Sequence, residues 1–195
     1  FHRLHPNIQV TPRELSVQKQ QELLISGELD LGFVTLVPEQ QKPALSYIPL
    51  ASEDIFAAVP IRHPIATPPE EGWTNAVREG EISELNLYAL REEPFVLTYK
   101  ESTLRDLTDH IFESASFKPH VLFETSSNAT ITTMVGAEMC CGIIPAFYAR
   151  GHEDKIRFFT LPGKPSWNIM ACHHKKRYLS KAARDFISLA EEFWS

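Results

Sequence analysis

The chain has 195 residues, of which 25 are acidic and 19 basic, and its formal net charge at pH 7 is −6. A surface that grips duplex DNA neutralises phosphates with Lys and Arg, so this acidic chain lacks the footprint of a direct DNA-binding module. Apolar residues make up 43% of the sequence, which is typical of a globular protein and excludes a disordered tail.

The longest apolar stretches, over 54–61 and 139–148, are far shorter than the ~20 residues that cross a bilayer. The chain opens without an initiator Met or a leader peptide, so we expect a fragment and no membrane partner. Two of the three cysteines are adjacent, which fits neither a disulfide framework nor a metal site. A reducing cytoplasm is the predicted location.

The first predicted unit is a strand, a helix and a second strand. A short strand is predicted over 7–10, and a helix over Val17–Ser26, with Ser16 as its cap and Gly27 as its left-handed end. The apolar stretch over 29–34 then predicts a strand that is buried on both faces of a parallel sheet.

An extended segment over 48–59 follows, since Pro60 cannot continue a helix. Residues 66–84 are rich in Pro, Glu, Gly and Asn, which predicts an exposed insertion. Helices and strands then alternate, which indicates βαβ crossovers and a second, mostly parallel sheet. The predicted helices are 83–90, 102–115, 128–138 and 180–194, and the predicted strands are 95–99, 120–124, 141–145, 158–161 and 168–173.

Several short motifs follow one another along the chain. They are Phe1 with His5-Pro6-Asn7, Gly27-Glu28-Leu29-Asp30-Leu31-Gly32, Pro49-Leu50 with Glu53, His63-Pro64, Pro94 to Leu97, Ser126 with Thr130, Met134-Val135, Gly142 to Pro145, and Tyr178 to Ser180 with Ala182, Ala183, Phe186 and Ile187. In this order they resemble the effector-binding domain of a LysR-type transcriptional regulator over essentially the whole chain. One departure is that Glu138, Met139 and Cys140 stand where the family usually has a G-x-G turn.

The resemblance implies an α/β fold of the type II periplasmic-binding-protein kind. It has two lobes, each a mostly parallel sheet flanked by helices: 1–58 with 164–195, and 59–163. The family's winged helix-turn-helix domain and first strand are expected to precede Phe1 and to be absent from this chain. A small metabolite would bind between the lobes without catalysis or a cofactor, and DNA would be contacted only through the absent domain.

The candidate ligand-binding residues are polar side chains at strand ends, at helix starts and on the extended segment. Hydroxyls and helix N-terminal amides suit a carboxylate or another small anion, although Ser and Thr at such places also serve as simple caps. Most of the assignment comes from the resemblance. The residues are Ser16, Thr35, Glu53, Thr98, Tyr99, Ser102, Thr103 and Ser126.

Four other features each have two interpretations. Glu53 faces a bound ligand or pairs with a basic residue, or it is a solvated charge on a strand. The Cys140-Cys141 pair is a redox switch or nucleophile, or is packed in the core, as we expect. The basic run 173–177 contacts nucleic acid or a metal, or is a solvated turn, as we expect. Leu23, Leu24 and Ile25 either pair the first-lobe helices of two copies in a homodimer, or lie in the chain's own core. In the first case the full-length protein is expected to form higher oligomers.

Two alternative functions come from other classes of protein. A free-standing solute-binding protein would share the fold, and a small thiol hydrolase would use Cys141 as its nucleophile. The second alternative lacks the necessary partners, since the sequence shows no nucleophile elbow, phosphate loop or paired carboxylates. We therefore predict a ligand-sensing domain that is not an enzyme.

Overall fold

The computed structural model describes residues 1–66 and 82–194. The helices are α1 (Val17–Ser26), α2 (Thr103–Ser114), α3 (Asn128–Gly136) and α4 (Lys181–Trp194). The strands are β1 (Gly32–Leu36), β2 (Leu45–Pro60), β3 (Pro94–Thr98), β4 (His120–Thr125), β5 (Cys141–Pro145), β6 (Ile156–Phe159) and β7 (Ser166–His174). The chain forms two compact units, Phe1–Ser52 with Trp167–Ser195, and Glu53–Ser166.

Helix α1 of the first unit has the predicted bounds and caps. The Ser16 hydroxyl accepts from the Lys19 N–H at 3.3 Å, and Gly27 ends the helix at φ 85°. Leu23 and Leu24 are buried, and Leu24 joins the core of the first unit with Val34, Leu36, Leu45, Met170 and Cys172. The chain's own core therefore accounts for these two leucines, and only Ile25 of the three proposed dimer residues is exposed.

Strand β1 corrects the prediction of a parallel strand over 29–34. It begins at Gly32 and pairs antiparallel with β7, with Gly32 opposite Cys172 and Leu36 opposite Asn168. Buried and half-buried residues alternate along it, so only one face is fully covered. The shift has a local cause, because the N–H groups of Gly27, Glu28 and Leu29 all donate to the Leu23 carbonyl and close the helix first.

The strand predicted over 7–10 is wrong, because residues 8–15 form no helix or strand. Ile8 and Val10 are exposed, and no described strand pairs with this segment, so its alternating apolar residues have no ladder to join. The chain before it is held by an aromatic contact and a hydrogen bond to α4. The Phe1 and Phe186 rings meet edge-on with centroids 4.9 Å apart, and His5 Nε2 lies 2.9 Å from a carboxylate oxygen of Asp185.

The sheet of the second unit is mixed, which corrects the prediction of a mostly parallel sheet. Its strand order is β6-β2-β5-β3-β4. Strand β3 is parallel to β4 and β5, whereas β2 is antiparallel to both β5 and β6. Helix α3 packs on β5, where a Cβ on Gly142 would lie 2.6 Å from Ile131 Cγ2. Only glycine allows this close approach.

The helix predicted over 83–90 is reduced to a 3-10 turn over Leu87–Leu90. Residues 83–85 instead pair with Thr160, since the Thr160 N–H donates to Ser83 and the Leu85 N–H donates to Thr160. The insertion predicted over 66–84 lies outside the described residues from 67 to 81. Strand β6 starts two residues earlier than predicted, and α3 ends at Gly136 rather than at Glu138.

Glu138 adopts a left-handed conformation, with φ 63°. The backbone turn therefore has a positive φ at a place where the sequence offers no glycine. The Glu138 carboxylate pairs with Arg62, with 3.4 Å between Oε1 of Glu138 and Nε of Arg62. Among the described helices, none is long and apolar enough to span a bilayer.

Replacing Gly27 with Ala tests the end of α1. The left-handed backbone costs a Cβ-bearing residue about 1–2 kcal/mol. The new Cβ would also overlap the guanidinium of Arg177, which donates to the Ser26 carbonyl at 2.9 Å. We expect G27A to lower the midpoint of urea unfolding more than G151A does.

Gly151 is the matched control, because its φ is 80° and no atom lies within 4 Å of the added Cβ. Equal losses in G27A and G151A would contradict a role for Arg177 at this helix end.

Candidate functional site

The carboxyl ends of three parallel strands lie at one edge of the second unit's sheet. Thr98 ends β3, Thr125 ends β4 and Pro145 ends β5, and Thr98 stands opposite Thr125 in the ladder. Helix α2 begins five residues after β3 ends, and α3 begins three residues after β4 ends. Two helix N-termini therefore lie next to each other at this edge, which we call the carboxyl edge.

Hydroxyl groups order the turn between β3 and α2. The Ser102 hydroxyl caps α2 by accepting from the Arg105 N–H at 3.1 Å, and it lies 2.8 Å from the hydroxyl of Thr98. Thr98 and Thr103 are buried, whereas half of Tyr99 is exposed. These four candidates are thus brought together, and the hydroxyls of Thr98 and Ser102 already bind each other.

The turn between β4 and α3 repeats this arrangement. The Ser127 hydroxyl accepts from the Thr130 N–H at 3.2 Å, and the Thr125 hydroxyl accepts from the Ser127 N–H at 3.1 Å. Candidate Ser126 lies between them and is exposed. The side-chain oxygen of Asn128 is buried and has no hydrogen-bond partner among the described residues. It is an acceptor that the sequence prediction missed.

Glu53 is buried, which excludes a solvated strand charge. Its carboxylate accepts from the Phe147 N–H at 2.7 Å, in the 3-10 turn that follows β5. Glu53 therefore lies at the carboxyl edge and caps a short turn there. The other two candidates lie in the first unit, where Ser16 is the exposed cap of α1 and Thr35 stands opposite Ile169 on β1.

Arg105 is the buried cation of this region. Its Nη1 donates to the Thr98 carbonyl at 2.8 Å and to Glu124 at 2.6 Å, and its Nε donates to Asp109 at 2.8 Å. Burial lowers the pKa of Arg105, but the hydrogen bonds that the guanidinium donates to Glu124 and Asp109 outweigh this effect, so the pKa lies above its usual value. The guanidinium is thus ionised and already neutralised by carboxylates.

Sequence reasoning missed Arg105, Glu124 and Asn128 as members of this edge. Arg105 stands three residues after the predicted cap, so its place on the first helical turn was readable. Its burial was not readable, because it depends on the pairing of β3 with β4, which places Glu124 opposite Leu97, one position before Thr98.

The basic run over 173–177 makes several bonds within the first unit. Lys175 Nζ donates to the Pro43 carbonyl at 2.9 Å, and Arg177 donates to Ser26. The Lys176 N–H donates to a ring nitrogen of His174 at 3.1 Å. These contacts fix a turn. No metal cluster of His, Cys, Asp or Glu occurs in the part of the chain that the structure describes.

Several cavities of the described structure lie away from the carboxyl edge, and two of them adjoin segments singled out in the sequence. One of about 740 Å³ lies in the first unit, between residues 8–15, β1 and α4. The other, of about 210 Å³, lies in the second unit at the amino ends of β3 and β5, where His63 pairs with Glu93 at 3.2 Å. Nδ1 of His63 also accepts from the Ile65 N–H at 3.2 Å, so the His-Pro motif closes a turn.

The whole chain, residues 1–195, matches the family described as the LysR substrate binding domain. The chain belongs to this family. It is an α/β effector-binding domain of the LysR-type transcriptional regulators, which is a non-enzymatic family with a periplasmic-binding-protein-like fold. The resemblance in the sequence motifs is confirmed.

Relatives and solved structures agree with this assignment. The regulator YwbI of Bacillus subtilis, an uncharacterized HTH-type transcriptional regulator, is 29% identical over 99% of this chain and 60% of its own length. The chain spans about three-fifths of the length of the curated relatives that it matches first.

Two of the similar structures contain small metabolites. The CcmR regulatory domain of Synechocystis PCC6803 in complex with 2-PG has a TM-score of 0.75 at 18% identity, covering 100% of this chain and 87% of that one. The effector-binding domain of QuiR in complex with shikimate has a TM-score of 0.70 at 18% identity, covering 92% and 78%. At this identity the likeness shows the fold.

The thiols provide a test of the hydrolase alternative. Burial raises the pKa of Cys140 to about 11 and the pKa values of Cys141 and Cys172 to about 12. With an ordinary pKa of ~8.5, roughly a quarter of a thiol is ionised at pH 8, against ~0.1% or less here. We expect native protein to react with iodoacetamide at least ~100-fold more slowly than urea-unfolded protein.

Mass spectrometry of the alkylated peptides gives the rate at each cysteine. Rapid labelling of Cys141 in the folded chain, at the rate of the unfolded control, would contradict structural packing of that thiol.

Proposed function

We propose that the carboxyl edge binds a small anionic metabolite, most simply a carboxylate, and that this binding controls DNA binding by an N-terminal domain of the longer regulator. The observation that carries the proposal is the placement of two helix N-termini beside three strand ends. First-turn N–H groups lack partners within their helix and carry partial positive charge, so together they favour an anion.

The charged side chains at the edge supply no net positive charge, so a small anion there would be held by neutral donors and by the helix starts. The Arg105 guanidinium is paired with Glu124 and Asp109, so its charge is offset before a ligand arrives. Hydroxyls of Ser102, Thr98 and Tyr99 remain beside the helix ends, together with the side-chain oxygen of Asn128. These hydroxyls and the amide oxygen offer both donors and acceptors, which suit a ligand that carries one carboxylate and hydroxyl groups.

The two-lobed arrangement belongs to the same proposal. Lobe I would comprise 1–58 with 164–195 and lobe II would comprise 59–163, with the metabolite between them, as the family resemblance implies. The chain divides into two compact units with boundaries near residues 52 and 167, which supports the division into two lobes.

A further strand, from residues upstream of Phe1 in the longer regulator, would complete the first unit. Two observations support it. Strand β1 pairs with β7 on one side, and no described strand pairs with its other side. The cavity of about 740 Å³ lies between this strand and the unpaired segment 8–15. Extended chain that adds to an open edge satisfies its backbone groups.

Control of DNA binding would act through the assembled regulator. A ligand shifts the balance between two arrangements only by its difference in affinity for them. We propose a homodimer formed through first-lobe helices, and higher oligomers in the longer protein. Exposed Ile25 on α1 is the supporting residue. Sedimentation equilibrium that shows a monomer at all concentrations would argue against the dimer for this domain.

A thermal-shift panel tests the binding proposal. It contains shikimate, 2-PG, aromatic acids, amino acids and inorganic anions. A ligand at 100 times its Kd adds ~2.7 kcal/mol, and one kcal/mol shifts the midpoint of a protein of this size by ~2–4 °C. We expect a carboxylate to raise the midpoint by several degrees.

The variant S102A should lose most of that rise, because it removes a hydroxyl from the carboxyl edge. The matched control is S180A, which removes a similar cap from α4, where the Ala183 N–H donates to the Ser180 hydroxyl at 3.1 Å. A panel without any binder, or an equal loss in both variants, would contradict the proposal.

A further inference from the structure

Arg105 joins three elements of the carboxyl edge through one buried side chain. It stands on the first turn of α2, it bonds to the last carbonyl of β3, and it bonds to Glu124 near the end of β4. Its side chain is 9% exposed, and that of Glu124 is 32% exposed. Because a guanidinium has a fixed planar fork of donors, these bonds define the direction of each partner.

The side-chain bond to Thr98 connects Arg105 with the candidate hydroxyls. The guanidinium binds the carbonyl of Thr98, whose hydroxyl lies 2.8 Å from the Ser102 hydroxyl, and that Ser102 hydroxyl accepts from the backbone N–H of Arg105. On the other side, the Tyr99 N–H donates to the Thr125 carbonyl at 3.2 Å. The two turns at the edge are therefore linked twice, by this backbone bond and by the pair of Arg105 with Glu124.

We propose that Arg105 is the positioning residue of the effector site, and that it does not itself supply the positive charge that meets the ligand. This inference rests on the proposed function. Three of its N–H groups are already used by Thr98, Glu124 and Asp109, and the side chain is almost fully covered. Its role is to hold the two helix starts and their hydroxyls ready in the free protein, which lowers the ordering cost of binding.

Hydrogen exchange of the ligand-free domain tests the proposal without any effector. The reporting amides are those of Tyr99, Asp106 and Ser127, which bond to Thr125, Ser102 and Thr125 respectively. In R105M we expect these amides to exchange at least about tenfold faster relative to the last turn of α2 and to β5. R105K should restore part of the protection, since an ammonium can replace one or two of the three bonds.

E124Q gives a second route to the same outcome if R105M fails to fold, because it weakens the bond to β4 and keeps the arginine. The matched control is T108V, which removes a buried hydroxyl that donates to the Leu104 carbonyl at 2.7 Å on the same helix. T108V should speed exchange evenly along α2. Even acceleration in R105M, R105K and E124Q, in proportion to their loss of stability, would overturn the positioning role.

Titration with inorganic phosphate, followed by amide NMR shifts, separates positioning from a direct charge. The charge-matched control is E101Q, which removes one exposed carboxylate from the turn between β3 and α2 without a contact to Arg105. If Arg105 only positions the edge, E124Q binds phosphate no more tightly than E101Q does. Tighter binding in E124Q than in E101Q would mean that freeing the guanidinium creates the anion site, and this result would overturn the proposal. Neither the hydrogen-exchange experiment nor the phosphate titration requires a known effector. Failure of the proposed function would therefore appear separately, in the metabolite panel.

Discussion

The parallel pairing of β3 with β4 and β5 is the constraint on which the candidate site depends. Parallel strands end at the same edge, and each crossover must return through a helix or loop on the sheet face. Here two such helices start at that edge, immediately beyond Thr98 and Thr125. The proposed binding chemistry follows from this topology, because adjacent helix starts combine the partial positive charge of their first turns without any dedicated cation.

A buried arginine would oppose this arrangement if it were unpaired, since desolvating a charge costs several kcal/mol. The chain meets that cost with two carboxylates and one carbonyl, of which Glu124 lies on the neighbouring strand and Asp109 one turn along the helix. One side chain thereby ties a local element, α2, to a distant one, β4.

Much of the second unit could be predicted from the sequence, because its signals are local. Ser102 caps α2 as predicted, and the apolar run 141–145 is β5 with the predicted bounds. The predictions that were wrong are those that depend on which strands pair with each other. The direction of β1 depends on β7, which lies more than a hundred residues away, and the segment 7–10 has strand-like alternation but no partner among the described strands. For the site, hydroxyls at strand ends were visible in the sequence, whereas the burial of Glu53 was not.

The most direct test of the account is an amide NMR map of the domain with the carboxylate that raises its melting temperature most. If the carboxyl edge binds the effector, the largest shift changes fall in the first turns of α2 and α3, over 103–105 and 128–130. Changes that cluster instead around Ile8, Phe33 and Phe186 would place binding in the first-unit cavity. That result would contradict the carboxyl edge as the effector site.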